Sequence, residues 1–340
     1  MSMPARPNLD AQQDALKARL KKEIMRELVL ELNLDKPTPA QRVRRFLTEE
    51  KRKWRRHPFS ALARLLCRLA MLITMFCLLY LVGDVLVKGV PNLKPSLFAW
   101  KYTTDNVSML PALINTVIIA LTSLVVAIPL GVGGAIYLAE YARRDSRLVK
   151  LIRLTAETLQ GIPSIVYGLF GMVFFTTLHC NYTLLAGALT LSLMVLPLIL
   201  RTTEEALLSI PDSYREGSFG LGAGKLRTVF RIILPSAMPG ILSGIILAIG
   251  RIVGESAALI FTSGSGKENL TFVGKNGFSL FAPLFQSTRT LSVHMYNLMS
   301  EGLYTKQAQA TAVVLLVLVV GINALSSFLA KKLTKGNENG

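Results

Sequence analysis

"REGSFGLGAGKLRTVFRIILP", residues 215–235, is a glycine-rich run with a lysine at its end. A phosphate-cradling nucleotide loop needs a glycine, four residues, and then Gly-Lys-Ser/Thr between a strand and a helix. Here only three residues separate Gly220 from Gly224-Lys225, and Leu226 stands where the magnesium-binding hydroxyl belongs. No hydrophobic strand precedes the run. The stretch therefore does not read as a site that consumes nucleotide, and no cofactor is expected.

The surroundings give the run its setting. Of 340 residues, 51% are hydrophobic and 17% charged, with a mean hydropathy of +0.45. A bilayer core about 30 Å thick needs about 20 apolar residues in a helix. Blocks at 69–87, 109–139, 158–178, 183–200, 236–262 and 310–330 qualify. Six such blocks without amphipathic partners predict an all-α integral membrane protein with six transmembrane helices. The run falls in the polar segment 201–235, between the fourth and fifth blocks. The first block begins only near Leu69, after a long polar stretch, so no cleavable signal segment is expected.

A net charge of +17 invites a nucleic-acid reading, but its distribution argues for topology instead. With the spans alternating sides, 30 of the 38 Lys and Arg residues fall on the side that holds both termini, 140–157 and 201–235. Loops on the cytoplasmic side collect Lys and Arg. Both termini and both of these loops are thus expected in the cytoplasm, the partner of the basic surface is the lipid bilayer, and no nucleic acid is expected. The Arg/Lys cluster at 51–56 suits anionic headgroups.

Residues 10–32 carry Leu16, Leu20, Ile24 and Leu28 at four-residue spacing, an amphipathic helix that "NLDKPTP" (33–39) breaks. A short basic helix over 40–56 follows. Together, 1–60 reads as a cytoplasmic basic amphipathic extension, either lying on the membrane or self-packing, or else a partner-docking arm. Residues 61–335 form the membrane domain and 336–340 a polar tail. Cys67, Cys77 and Cys180 lack metal-ligand spacing and read as small packing residues. The second block contains Pro129, which a membrane helix tolerates when neighbours satisfy the freed carbonyl. "GIPSIVYGLFG" (161–171), Gly240/Gly244 and Gly250/Gly254 predict close helix packing. "LSVHMYNLMSEGLY", with Leu291, Met295 and Leu298 at helical spacing, predicts a helix in the long segment 263–308, either interfacial or re-entrant over the outer mouth, or an ordinary surface helix.

Within 215–235, Glu216-Gly217-Ser218, three residues, Gly222, nine residues, Ile232, one residue and Leu234-Pro235 fit the pattern E-A-A-x3-G-x9-I-x-L-P, with two small-for-small exchanges. This resembles the cytoplasmic signature of binding-protein-dependent ABC importer permeases. The resemblance implies a type I (MetI-like) permease fold in which this loop forms two short helices joined near the glycine and docks on a separate ATPase. Glu216, Gly217, Ser218, Gly222, Ile232, Leu234 and Pro235 are its expected coupling residues. Small residues at 217 and 218 allow close packing, Gly222 permits positive φ at a sharp turn, and Pro235 can start the next helix.

"LAIGRIVGESAALIFT" sets Arg251 and Glu255 four residues apart, on one face of the expected fifth helix. Ionisable groups at membrane depth are costly and face a partner or a cavity. Two readings fit: an ion pair that locks the bundle, or an anion site in which the planar Arg fork receives an oxyanion. The segments "RTTEEALLSIPDSYREGSFGLGAGKLRTVFRIILP", "GILSGIILAIGRIVGESAALIFT", "YLAEYARRDSRLVKLIR" (137–153) and "PSIVYGLFG" (163–171) are similar to the A-type permeases of bacterial phosphate-specific importers, the PstA family. That similarity covers about 70–332. It implies uptake of inorganic phosphate across the inner membrane and places Arg251 and Glu255 on the substrate pathway. It also implies a second, PstC-like permease, a PstB-like ATPase dimer and an external PstS-like phosphate-binding protein. Molybdate, sulfate or a polar solute fits the same architecture, and an ion-coupled carrier is the alternative outside it. His57, His179 and His294 fall in separate segments without a carboxylate or cysteine cluster, so the chain itself is expected to be non-catalytic.

Overall fold

Proline and glycine decide where the apolar blocks bend and how closely they pack. A computed structural model describes residues 17–25, 58–143, 146–175, 181–267, 270–271, 273–274, 277–278 and 281–338. The expected helix at 40–56, His57, His179 and Cys180 lie outside the described residues. The expected helix over 10–32 is described, and helical, over 17–25, with Leu20 and Ile24 exposed.

The chain divides into two compact units, Met1–Tyr80 and Leu81–Gly340, each described by itself. Helix α1, Pro58–Gly89, crosses the boundary. Its part in the first unit exposes large apolar side chains along its length, from Phe59 to Tyr80, as a lipid-facing helix must. Cys67 and Cys77 lie on this stretch and are exposed, so they are not the packing residues expected from the sequence.

The second unit contains α2 (Leu110–Ile136, prolonged by a π turn Tyr137–Tyr141), α3 (Arg147–Gln160), α4 (Ser164–Gly171) and α5 (Leu184–Leu208). There follow α6 (Asp212–Gly220), α7 (Lys225–Thr228), a second π turn (Val229–Ile233), α8 (Leu234–Gly254) and α9 (Ala257–Ile260). The two-residue strands β1 (Val273–Gly274) and β2 (Gly277–Phe278) pair antiparallel, and α10 (Leu291–Glu301) and α11 (Thr305–Glu338) complete the unit. Among the described residues, five stretches are long and apolar enough to cross a membrane: Leu62–Asn92, Leu110–Tyr141, Leu184–Leu208, Lys225–Gly254 and Thr305–Lys332. The expected third block, 158–178, is instead the second arm of a pair bent by 103°, Arg147–Gln160 followed by Ser164–Phe175, which makes a sixth crossing if the pair counts as one. The bend falls at Gly161-Ile162-Pro163. Proline lacks an N–H and drives the preceding residue out of the helical region. Gln160 holds the corner by donating from Nε2 to the Pro197 carbonyl at 3.0 Å.

The block expected at 236–262 is also not one helix. The chain leaves α8 at Glu255 (φ −74°, ψ 129°) before the short α9 begins. Conversely, α5 runs eight residues past the block at 183–200, so the turn region proper is shorter than 201–235.

The core lies between α2, α5 and α8, where Ile119, Leu191, Met194, Ile199, Ala248 and Ile252 are buried. The expected small-residue seams are partly present. A Cβ at Gly240 would sit 2.6 Å from Ala206 Cβ and one at Gly244 2.7 Å from Thr202 Cβ, so α8 lies backbone-close to α5. Gly250 meets Asn323 at ordinary contact and Gly254 faces open space. At Gly168 a Cβ would stand 2.8 Å from Ala258 Cα, which seats α4 against α9. The helix expected in 263–308 is α10. Leu291 packs there with Leu97, Met109, Ala112 and Ala310, while Met295 is only half-buried.

Candidate functional site

The 215–235 run folds as two limbs about a sharp turn. The last turn of α6 ends with Gly222 N donating to Phe219 O (2.9 Å) and Ala223 N to Ser218 O (3.1 Å). That is the paired-bond termination in which the residue after the cap is left-handed. Gly222 takes φ +81°, as the sequence predicts. Across the turn, Ser218 Oγ and Thr228 Oγ1 share a buried 2.8 Å hydrogen bond, and Thr228 Oγ1 also donates to Gly224 O. The small side chain at 218 therefore joins the two limbs instead of clearing space for a partner.

Outward, the loop presents Tyr214, Phe219, Leu221, Leu226 and Phe230, of which Leu221 is 90% exposed. Glu216 is exposed beside them, and the space around Gly217 is open. Large apolar side chains gathered in the open on one polar loop suit a surface that a partner covers. Ile232 and Leu234 do not belong to this face. They pack with Ala135, Ile136, Leu207, Val229 and Ile233 beneath the loop, and Pro235 opens α8 there.

Charged groups fix this end of the bundle. Arg215 Nη2 donates to Glu140 Oε1 at 2.6 Å and to Leu207 O at 3.1 Å, and Nη1 donates to Ile210 O at 2.9 Å. The Glu140 carboxylate, with lesser help from Asp212, holds the Arg215 guanidinium above its ordinary pKa. Arg153 Nη2 meets Glu204 Oε1 at 2.6 Å, and Arg201 reaches Glu205 at 2.9 Å and Glu157 at 3.6 Å. Lys225 Nζ sits 5.0 Å over the Tyr141 ring. Sequence reading missed all of these. Arg215 and Glu140 are 75 positions apart, and no spacing rule joins them.

Arg251 and Glu255, expected as a pair on one helix face, are not paired. Glu255 Oε1 accepts from Ala258 N at 3.2 Å, at the start of α9, and its carbonyl accepts from Ser292 Oγ at 2.6 Å. Arg251 makes no ion pair with a described carboxylate and lies within electrostatic reach of Tyr167. Both residues are half-buried.

Near the opposite end, Arg289 is buried, with its guanidinium 4.7 Å from the Tyr102 ring centre. His294 is 0% exposed, and among the described residues neither ring nitrogen has a hydrogen-bond partner of good geometry. Burial, reinforced by Arg289, pushes its imidazole down to about 3.

The family described as "Binding-protein-dependent transport system inner membrane component" matches residues 127–337. The chain is 37% identical over 272 residues to the "Probable ABC transporter permease protein YqgI" of Bacillus subtilis, covering 75% of this chain and 90% of that protein. It is 36% identical over 223 residues to the "Phosphate transport system permease protein PstA" of Yersinia pestis, covering 64% of this chain and 75% of that one. Among solved structures, a bacterial alginate ABC transporter in complex with its alginate-bound periplasmic protein superposes with a TM-score of 0.61 at 14% identity, over 83% of this chain and 98% of that chain. The likeness at that identity is one of fold.

Proposed function

The chain belongs to the binding-protein-dependent transport system inner membrane component family, and from that premise we propose that it is the non-catalytic permease subunit of an ATP-driven importer of inorganic phosphate. The similarity to phosphate-transport permeases, 36% identity over 223 residues, supports the substrate. The apolar face around Leu221 supports a separate ATPase dimer as the occupant of the loop. A companion permease and an external phosphate-binding protein complete the assembly in this reading. Residues 1–60 form a cytoplasmic extension, 61–335 the permease domain and 336–340 the tail, with both termini in the cytoplasm on the basic side of the chain.

Arg251 and Glu255 are assigned to the substrate pathway, and Glu216, Gly217, Ser218, Gly222, Ile232, Leu234 and Pro235 to the coupling region. Their roles differ. Glu216 and Gly217 face the partner, Ser218 and Gly222 shape the turn, and Ile232, Leu234 and Pro235 seat it on the bundle. An Arg with no carboxylate partner among the described residues, set in a membrane helix, offers a planar fork of donors to a tetrahedral oxyanion.

The test is radiolabelled phosphate uptake in cells lacking their own high-affinity system, supplied with this chain, its companion permease, the ATPase and the binding protein. Uptake that depends on ATP, resists excess sulfate and disappears in Arg251→Gln while the complex still assembles is the expected result. Uptake that persists in Arg251→Gln overturns the assignment of that residue. An assembled complex that takes up molybdate or sulfate but no phosphate overturns the substrate.

A further inference from the structure

A docking loop must do more than bind its partner: its movement has to reach the membrane helices. Two routes leave this loop. One is covalent, through the second limb and the π turn Val229–Ile233 into α8. The other is the Arg215 side chain. From α6 it reaches Glu140, in the π turn that closes α2, together with the Leu207 and Ile210 carbonyls at the end of α5. The contact is nearly dry, with side chains 13% and 6% exposed. Glu140 Oε1 accepts from both Nε (3.2 Å) and Nη2 (2.6 Å). A planar guanidinium held by several acceptors in a buried place is a stiff joint, because no single bond can rotate without breaking the others.

The elements on either side differ in regularity: α2 and α8 each meet the loop through a π turn, an irregularity frequent at functional sites. α5 reaches it as regular helix. The Ser218–Thr228 hydrogen bond ties the two limbs, so a push on one is felt by the other. Arg215 thus fastens a loop whose two limbs are hydrogen-bonded together to the π turn at the end of α2.

We propose that the Arg215–Glu140 pair is a positioning clamp that carries movement of the docking loop to α2, so that breaking it separates ATP hydrolysis from uptake. The proposal rests on the reading of the loop as the ATPase-docking element.

The experiment uses the full complex in proteoliposomes, with binding protein and phosphate inside the binding-protein compartment. The variants are Arg215→Gln, Glu140→Gln, Arg215→Lys and the charge exchange Arg215→Glu with Glu140→Arg, with Leu221→Asp as a docking control. ATPase recovered with the chain, ATP hydrolysed and phosphate taken up are measured together. The two neutral variants are expected to retain the ATPase and its hydrolysis while uptake per ATP falls about tenfold or more, in line with the loss of a hydrogen-bonded charge. Arg215→Lys keeps the charge without the fork and falls between them and wild type. The charge exchange restores part of the lost uptake per ATP, which a role in folding alone would not predict. Unchanged uptake per ATP in both neutral variants overturns the clamp alone. So does a parallel fall of uptake, hydrolysis and recovery, the mark of a purely structural joint. Full ATPase recovery with Leu221→Asp overturns the docking reading, and the clamp with it.

Discussion

Gly222 gives a prediction whose size follows from its backbone. Its φ of +81° lies in the left-handed region, and a Cβ built there meets nothing within 4 Å. A substitution is therefore opposed by backbone strain and not by a clash. For an ordinary L residue that strain is about 1–2 kcal/mol, and Ala recovers about 0.4–1 kcal/mol by restricting the unfolded loop. Taking the middle of both ranges, the net cost of Gly222→Ala is about 0.8 kcal/mol, or roughly a fourfold loss of the docking-competent turn at about 1.4 kcal/mol per factor of ten. Asn visits this region more readily and should lose less, whereas β-branched Val should lose more. The position lies outside the buried clusters, so all three variants should reach the membrane in wild-type amounts. The assay is titration of detergent-solubilised chain with purified ATPase, and the expected order of affinity is Gly, Asn, Ala, Val. Equal affinity for Gly and Ala would refute the argument that the turn needs a left-handed residue. So would a loss in Asn as large as that in Val.

Two further outcomes rest on packing and protonation. Gly244→Val drives a branched side chain into Thr202 and should cost about 1–3 kcal/mol, while Gly254→Val, with open space at the same motif position, should be nearly neutral; thermal unfolding of the solubilised chain compares them, and equal shifts would count against the α5–α8 seam. His294, with its pKa lowered to about 3 in the fold against 6.5 in an unfolded chain, is protonated first in the unfolded state, so stability is lost as pH falls from 6.5 towards 3. The loss due to this residue is about 2 kcal/mol at pH 5. The thermal midpoint of the wild type should drop more between pH 7.5 and pH 5 than that of His294→Gln, and equal drops would disprove the coupling.

What the sequence made legible is what depends on one-dimensional pattern. Hydropathy located the apolar blocks, because lipid demands continuous apolar stretches whatever the tertiary fold. The spacing of Glu216, Gly222 and Leu234-Pro235 foretold the turn, because a left-handed residue is a local need that glycine answers. The same logic could have found the bend at Gly161-Ile162-Pro163, since Pro163 carries a local signal. A block counted by hydropathy alone overlooks it. The buried pairs were not legible. Arg215 could have matched any nearby acid, and only the folding of α2 beside α6 selects Glu140. Ser218 likewise read as a small residue that allows close packing, because nothing local reveals Thr228 opposite it.

The failure of the expected Arg251–Glu255 pair sharpens the pathway proposal. Four-residue spacing puts two side chains on one face only while the helix lasts, and α8 stops at Gly254. Beyond it, the Glu255 carboxylate is engaged by the α9 amide of Ala258, and its carbonyl by Ser292 of α10. Glu255 therefore braces the break after α8, while Arg251 pairs with no carboxylate among the described residues. A cation left so in a membrane helix is costly in the empty state and is relieved when an anion arrives. An Arg already satisfied by Glu255 would instead have to surrender that pair to each passing anion. In the proposed pathway, the broken helix would separate two duties that a continuous one would have merged: holding the bend and receiving the anion. Glu255→Gln keeps a side-chain oxygen for the Ala258 amide and so should preserve uptake far better than Arg251→Gln. Equal loss in the two variants would return the residues to a single ion-paired unit.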